Sequence, residues 1–350
     1  MKKMFVILTV FLIVLLLSSC GTHEYSDELI YFQTKIVITI YDESYSDSKE
    51  YISYAKKLFE DYNNLSDRYL DYDNTYGIYY INHHPNETIK IDERLFNLIK
   101  FSKDEGKKII DQDNKPYFNI LIGKLSDIYN DIFDKYEGKA VTSEVFDKNQ
   151  ISSINFDFDL DQIELDNVHK TIKIPDTVSI DLGGIAKGYA VNELVKYYND
   201  NGVKYFIDAG QSNLITNTVN PKRNGNFVIG LRHPETSDNR LRLYATINLE
   251  KNKALVTSAD YQKYFIYDNE IYSSILSTST NLPASTDIRS ISILHDSSAL
   301  GDIISTVSFM MGSKKAIEYL NNENISYIMY LKNGEIIYSD DIKDIINIIN

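Results

Sequence analysis

Two adjacent glycines near the middle of the chain, Gly183 and Gly184, constrain its fold more than any other feature. A β-favouring stretch precedes them, and the residues after them have apolar side chains at four-residue spacing, as in an amphipathic helix. Glycine lets a backbone approach a ligand closely, and the first turn of a helix offers unpaired N–H groups. The sequence therefore predicts a strand–turn–helix corner that suits an anion such as phosphate. Asp181 and Lys187 add one charge of each sign to this corner.

The glycine pair alone indicates no more than a tight corner, but the longer string around it is more informative. Residues Ser179–Ala190 read SIDLGGIAKGYA, which resembles the signature DxGGxAKGYA of the ApbE family, the FAD:protein FMN transferases. The resemblance implies an α+β, T-fold-like single large domain over residues 30–350, with antiparallel sheets and flanking helices. The order of predicted elements also favours α+β architecture over a regular parallel βαβ chain. No G-x-G-x-x-G motif of the Rossmann type follows a predicted strand.

Composition narrows the chemistry of the ligands. The formal net charge of −14 over 350 residues argues against a nucleic-acid partner. A polyanionic ligand would need a locally positive site or a metal ion. Because Cys20 is the only cysteine, the chain cannot form an intrachain disulfide or a metal site built on thiolates. Any metal must therefore be bound through oxygen or imidazole ligands.

The N-terminus has the pattern of a secretory signal. Two lysines precede the uncharged apolar run Met4–Leu17, which is too short to span a membrane and is followed by small residues. The ending Leu-Ser-Ser-Cys resembles the bacterial lipobox, although an uncleaved anchor is the alternative. We therefore predict a lipoprotein signal peptide over 1–19, lipidation at Cys20 and a tether over 20–29. This predicts a location at the extracytoplasmic face of the cell membrane.

A second motif lies far downstream, in a predicted helix. Asp302 and Thr306 are four residues apart, so on a helix they share one face and present two hard oxygen ligands. Mg²⁺ suits such a site because it needs few protein ligands and completes its shell with phosphate and water oxygens. Taken alone, the pair favours the interpretation without a metal, in which the helix dipole stabilises the carboxylate and the threonine bonds to its own helix. The string Gly-Asp-Ile-Ile-Ser-Thr resembles the family's A-D-A-L-S-T, which implies Mg²⁺ binding by Asp302, Thr306 and the carbonyl of Gly184.

The resemblance also implies which residues contact FAD. They match family positions in three strings and are Tyr117, Phe118, Asn119, Asp181, Lys187 and Ile275. In the last string the family reads H-I-x-D-P-x-T-G-x-P, and the histidine beside the flavin is replaced here by Ser274.

The implied activity is magnesium-dependent transfer of the FMN part of FAD onto a threonine or serine hydroxyl of an extracytoplasmic acceptor protein, with release of AMP. Lys187 would neutralise pyrophosphate charge, and Asp302 would bind the metal and help to take the hydroxyl proton. Because Ser274 replaces the family histidine, two alternatives stay open. Water could attack instead, which gives an FAD pyrophosphatase, or the lipoprotein could bind FAD without chemistry.

Overall fold

The computed structural model describes residues 23–223, 225–234 and 242–349. The predicted signal peptide and Cys20 lie outside these residues. No helix within the described ranges is long and apolar enough to cross a membrane.

The α-helices of the described part are α1 (Tyr45–Ser66), α2 (Ile78–His83), α3 (Glu93–Gly106), α4 (Gly123–Tyr136), α5 (Lys148–Ser152), α6 (Ala186–Asp200), α7 (Ser298–Met311) and α8 (Ser313–Asn322). The strands are β1 (Glu24–Tyr31), β2 (Thr34–Tyr41), β3 (Ile89–Lys90), β4 (Glu164–Asp166), β5 (Thr171–Lys173), β6 (Lys204–Ala209), β7 (Asn213–Thr216), β8 (Phe227–Arg232), β9 (Leu243–Leu249), β10 (Lys253–Ala259), β11 (Tyr264–Tyr267), β12 (Glu270–Ser273), β13 (Leu276–Ser277), β14 (Leu282–Pro283), β15 (Ile288–His295), β16 (Ser326–Leu331), β17 (Ile336–Tyr338) and β18 (Ile346–Ile348).

Eight strands form a central sheet in the order β1-β2-β6-β7-β10-β15-β16-β17. Every neighbouring pair in it is antiparallel. Smaller sheets with the orders β18-β9-β8 and β3-β5-β4 and two short hairpins complete the strand pairing. This arrangement, with helices packed beside antiparallel sheets, confirms the predicted α+β class.

The middle strands of the central sheet are buried on both faces. Along β10, Ala254 and Val256 belong to the main core with the helices, whereas Leu255 belongs to a second core with the β8–β9 strands. This alternation follows from the two-residue period of a strand. The main core also contains side chains from α1, α6 and α7, so these helices cover one face and the small sheet covers the other.

The folded domain begins earlier than the sequence predicted. Residues 24–31 form strand β1, which pairs along its whole length with β2. Phe32 and Gln33 join the two strands with φ values of 52° and 56°, the left-handed geometry of a tight hairpin turn. The predicted boundary at residue 30, with a tether over 20–29, is therefore corrected. The segment is polar, as an edge strand can be, and its backbone hydrogen bonds to β2 place it in the sheet.

Helix α7 approaches strand β10 unusually closely at Gly301. A Cβ at this position would lie 2.4 Å from Cγ2 of Val256, so only glycine fits without displacement. The approach brings the hydroxyl of Ser258, on β10, within 2.9 Å of Ser305 Oγ and 3.2 Å of Thr306 Oγ1. The glycine therefore determines how deeply the helix with the predicted metal ligands sits on the sheet.

We expect Gly301→Ala to lower the free energy of unfolding by about 1–3 kcal/mol, because the added methyl group overpacks this contact. In a Val256→Ala background the same change should cost less, since the clashing atoms are gone. Gly225→Ala is the control, because a Cβ there would meet only the Arg223 carbonyl, at 3.7 Å. Urea unfolding measures all four variants, and equal losses for Gly301→Ala and Gly225→Ala would contradict the packing argument.

Candidate active site

A cavity of about 430 Å³ opens beside the glycine corner. Seven of the nine residues that the sequence predicts for FAD or metal binding line it: Tyr117, Phe118, Asn119, Asp181, Gly184, Ile275 and Thr306. The remaining two, Asp302 and Lys187, are not among the lining residues. The fold thus brings together segments that are far apart in the sequence, while the two predicted catalytic residues lie outside the cavity wall.

The glycine corner is held by a side chain rather than by a neighbouring strand. Oδ1 of Asn82 accepts a hydrogen bond from the N–H of Ile180 at 2.8 Å, and its Nδ2 donates to the Ile180 carbonyl at 2.9 Å. The N–H of Asp181 donates to the carbonyl of Ile120 at 2.8 Å. Of the predicted β-favouring stretch, Thr171–Lys173 forms β5, whereas residues 178–180 are not in a strand, because the amide of Asn82 takes the place of a partner strand there. After the corner, α6 begins without a side-chain cap.

The aromatic side of the cavity comes from the segment 117–119. The ring of Phe118 lies against the corner, 3.5 Å from where a Cβ of Gly184 would be. Asn119 is buried, and both ends of its amide are engaged. Its Oδ1 accepts from the N–H of Leu121 at 2.8 Å, and its Nδ2 donates to the carbonyl of Phe158 at 2.7 Å. Asn119 therefore shapes the cavity wall while its polar atoms serve the fold.

Asp302 lies where α6 and α7 meet. Its Oδ2 accepts from the N–H of Gly188 at 3.1 Å, and its Oδ1 accepts from Nδ2 of Asn213 at 2.8 Å. A Cβ at Gly188 would lie 2.3 Å from Oδ2, so the carboxylate can reach the helix backbone only because this residue is glycine. One turn further along α7, Thr306 lines the cavity together with Gly184. The two helices are thus joined directly behind the cavity.

Asn213, which sequence reasoning missed, connects the two charged residues of the predicted site. Nζ of Lys187 donates to Asn213 Oδ1 and, at 2.9 Å, to Ser212 Oγ. Asn213 is fully buried at the start of β7, and its Nδ2 donates to both Asp302 and Ser298 Oγ. The signal available in the sequence was a polar residue directly before the apolar pair Leu-Ile.

Burial shifts both charged groups toward neutrality. Burial lowers the pKa of Lys187, and the nearby carboxylates of Asp302 and Asp208 oppose this shift. Burial raises the pKa of Asp302, and the Lys187 charge and the hydrogen bonds from Asn213 and Gly188 oppose that shift. Each charge therefore depends on the other for its stability.

Arg68 is a second residue that sequence reasoning missed. Its guanidinium is buried and makes a bidentate pair with Asp127, at 2.6 Å from Nη1 to Oδ1 and 3.1 Å from Nη2 to Oδ2. Nη2 also donates to the Gly123 carbonyl at 3.0 Å and to Ser179 Oγ at 3.2 Å. Nε lies 3.9 Å from Oδ2 of Asp181, so a fixed positive charge stands beside the predicted FAD contact in the cavity wall.

Ser274 also lines the cavity, so the position of the family histidine does face it. Its N–H donates to the carbonyl of Lys263 at 3.0 Å. Within the part of the chain that the structure describes, no group of three or more His, Cys, Asp or Glu side chains could hold a metal. A metal at the predicted position would therefore need hydroxyl, backbone and ligand oxygens in addition to one carboxylate.

A family model of ApbE matches residues 32–329 of the chain. The protein belongs to the ApbE family. Solved ApbE structures show the same fold. The ApbE protein of Thermotoga maritima superposes with a TM-score of 0.75 at 22% identity, covering 92% of this chain and 99% of that one. The flavin transferase ApbE of Vibrio cholerae gives 0.71 at 18% identity, covering 93% and 100%. The predicted ApbE fold is confirmed.

Relatives with the name FAD:protein FMN transferase match over a shorter range. One from Klebsiella pneumoniae is 31% identical over 163 residues, which is 46% of this chain and 48% of the relative. One from Buchnera aphidicola is 26% identical over 163 residues, 46% of each chain. The family model establishes the ApbE membership. The chain spans about half the length of these named relatives, and the transferase activity is therefore a proposal.

We expect the stability of the protein to depend on pH through His295, which lies just before α7. Burial lowers the pKa of His295, whose Nδ1 accepts from the N–H of Ser297 at 2.9 Å, a bond that only the unprotonated nitrogen can accept. The neighbouring charges of Asp296 and Lys253 act in opposite directions. Because the unfolded chain takes up this proton first, stability present above about pH 6.5 should be lost as the pH falls through the lower folded pKa.

His295→Asn should reduce this acid loss, since an amide oxygen can accept the same hydrogen bond at any pH. Urea midpoints at about pH 7.5 and about pH 5.5 measure it, because the linkage slope is the difference in bound protons. The account fails if wild type and variant lose the same stability over this interval.

Proposed function

We propose that this ApbE-family protein transfers the FMN part of FAD to a threonine or serine hydroxyl of an acceptor protein, with Mg²⁺ required and AMP released. The observation that carries the proposal is that Gly184 and Thr306 line the same cavity. Asp302 accepts a hydrogen bond from the N–H of Gly188 in α6, one turn after the glycine corner. This supports a metal site formed by three oxygen donors from segments more than a hundred residues apart in the sequence. The names of the relatives support the reaction class.

The residues fit a magnesium ion. Asp302 offers a carboxylate whose oxygens keep lone pairs beyond their single hydrogen bonds, and Thr306 offers a hydroxyl. The carbonyl of Gly184 is the third candidate donor. The missing side chain at Gly188 leaves the space that the carboxylate occupies, as an oxygen-ligand site between two helices requires. When bound, Mg²⁺ would neutralise charge on the pyrophosphate oxygens.

Residues of the cavity wall would orient FAD and keep water away from the reacting phosphorus. Phe118 and Tyr117 present aromatic surface, while Asp181 and the Arg68 guanidinium place opposite charges at one wall. In the transfer, the acceptor oxygen would bond to the phosphorus on the flavin side, the bridging P–O bond would break with its electron pair going to AMP, and the hydroxyl proton would pass to the leaving AMP phosphate or to water. Catalysis of this type depends on positioning and electrostatics.

The two predicted catalytic residues take narrower roles in this proposal. Both oxygens of Asp302 accept one hydrogen bond each, and the metal would use the remaining lone pairs, so we assign the residue to metal binding rather than to proton removal. Lys187 directs its ammonium to Asn213 and Ser212. It therefore supplies positive charge near the carboxylate instead of touching the pyrophosphate.

One observation favours the FAD pyrophosphatase as the second candidate. Ser274 lines the cavity where relatives have a larger histidine, and the smaller side chain leaves room for water beside the flavin. The products separate the two functions, because hydrolysis gives free FMN and AMP without a modified protein.

Thr306→Val should lower FMN transfer about 10–100-fold, because it removes one proposed ligand and keeps the side-chain shape. Ser308→Ala is the control, since that hydroxyl is buried on the same helix without a hydrogen-bond partner. The purified protein is incubated with FAD, Mg²⁺ and candidate acceptors, and intact-mass spectrometry follows the FMN adduct. Undiminished labelling by Thr306→Val would remove the metal assignment, and AMP with only free FMN would support the pyrophosphatase.

We further propose that the protein is a lipoprotein, anchored through Cys20 at the extracytoplasmic face of the cell membrane, where its acceptor would also lie. The lipobox-like ending of the N-terminal apolar run supports this. Cys20→Ala should abolish incorporation of labelled fatty acid and release the protein from the membrane fraction. Persistent labelling of that variant would contradict the anchor.

A further inference from the structure

We infer that Asn213 is a positioning residue, whose amide holds the Asp302 carboxylate and the Lys187 ammonium in the arrangement that metal binding requires. The inference rests on the proposed function, because the metal site belongs to that proposal. Asn213 lies at the start of β7, Lys187 in the first turn of α6 and Asp302 in α7. One side chain therefore joins the three elements that meet behind the cavity.

The chemistry of the partners determines which end of the amide faces which charge. An ammonium group only donates hydrogen bonds, and a carboxylate only accepts them. Oδ1 of Asn213 must therefore face Lys187, and Nδ2 must face Asp302, as the structure has them. The amide is neutral and has one end for each charge, so it links two opposite charges without replacing either.

The hydrogen-bonding capacity of Asn213 is fully used. Nδ2 donates to Asp302 Oδ1 at 2.8 Å and to Ser298 Oγ at 2.9 Å. Oδ1 accepts from Lys187 and, at 3.0 Å, from Ser212 Oγ. With four partners and no exposed surface, the amide cannot rotate without breaking several buried hydrogen bonds. The Asp302 carboxylate is therefore fixed on one oxygen by Asn213 and on the other by the backbone of Gly188.

Other side chains of similar size at position 213 would not hold both charged groups in place. Aspartate would place a second acceptor against the Asp302 carboxylate, and leucine would leave both charged groups without this partner. Removing one partner from a buried charge is costly, so the carboxylate would turn toward the Lys187 ammonium to regain a hydrogen bond. Asp302 would then be oriented toward the lysine instead of the metal. The amide between them prevents this direct ion pair.

The arrangement also gives Lys187 an indirect role. Its ammonium does not line the cavity, and its hydrogen-bonded link to the carboxylate runs through the amide of Asn213. The positive charge therefore orients the metal ligand through the amide dipole, rather than binding pyrophosphate.

The test measures the affinity for Mn²⁺ as a probe, by loss of the free-ion electron paramagnetic resonance signal, with FAD absent and present. Asn213→Leu should lower the Mn²⁺ affinity about 10–100-fold, the range for groups that orient metal ligands. Asn192→Leu is the matched control. Its amide bonds to Ser297 Oγ at 2.6 Å and to the N–H of Ser298 at 2.8 Å, so it holds the same end of α7 without touching Asp302.

The control variant should lose stability to urea yet keep the wild-type Mn²⁺ affinity. In a Lys187→Met background, Asn213→Leu should cost less affinity than in wild type, because the two residues act in series. Equal Mn²⁺ affinities of wild type and Asn213→Leu, or equal losses in both asparagine variants, would overturn the inference alone. Fully additive effects would overturn the indirect role of Lys187. A wild-type protein that binds no Mn²⁺ in either condition would remove the proposed metal site as well.

Discussion

The hydrogen bond from the N–H of Gly188 to the Asp302 carboxylate joins the helix after the glycine corner to the helix with both predicted side-chain metal ligands. It depends on a missing side chain, since a Cβ at position 188 would occupy the place of the carboxylate. Gly301 has the same effect on the neighbouring face of α7, where the helix rests on β10. Two positions without side chains therefore determine where α7 lies, and with it the position of Thr306 in the cavity wall.

The junction between α6 and α7 contains two buried charged side chains, Lys187 and Asp302. The apolar core between the helices and the central sheet accounts for the fold, and buried charges such as Lys187 and Asp302 add desolvation cost to it. Apolar residues of similar volume would pack there without that cost. Buried opposite charges beside a cavity, with pKa values shifted by burial, are typical of functional sites. The carboxylate, the ammonium and the amide of Asn213 are therefore best understood as a site that the fold supports.

The sequence predicted the elements whose signals are local. The helix with Asp302 and Thr306 and the amphipathic helix after the glycines form as their apolar spacing indicates. The residues it missed are defined by partners distant in the chain: Asn82 bonds to a residue 98 positions later, and Asn213 to one 89 positions later. No periodicity encodes such pairs. The hairpin of β1 was missed for a related reason, because its polar composition resembles a tether until β2 supplies the partner.

The central claim is that Asp302, Thr306 and the carbonyl of Gly184 surround one divalent ion at the wall of the cavity that we propose binds FAD. Crystals of the protein with FAD and Mn²⁺, measured at the manganese absorption edge, test it most directly. The account predicts one anomalous peak within about 2.0–2.3 Å of oxygens from all three residues and next to the pyrophosphate. A peak elsewhere in the cavity, or FAD bound with no ordered metal beside Asp302, would contradict it.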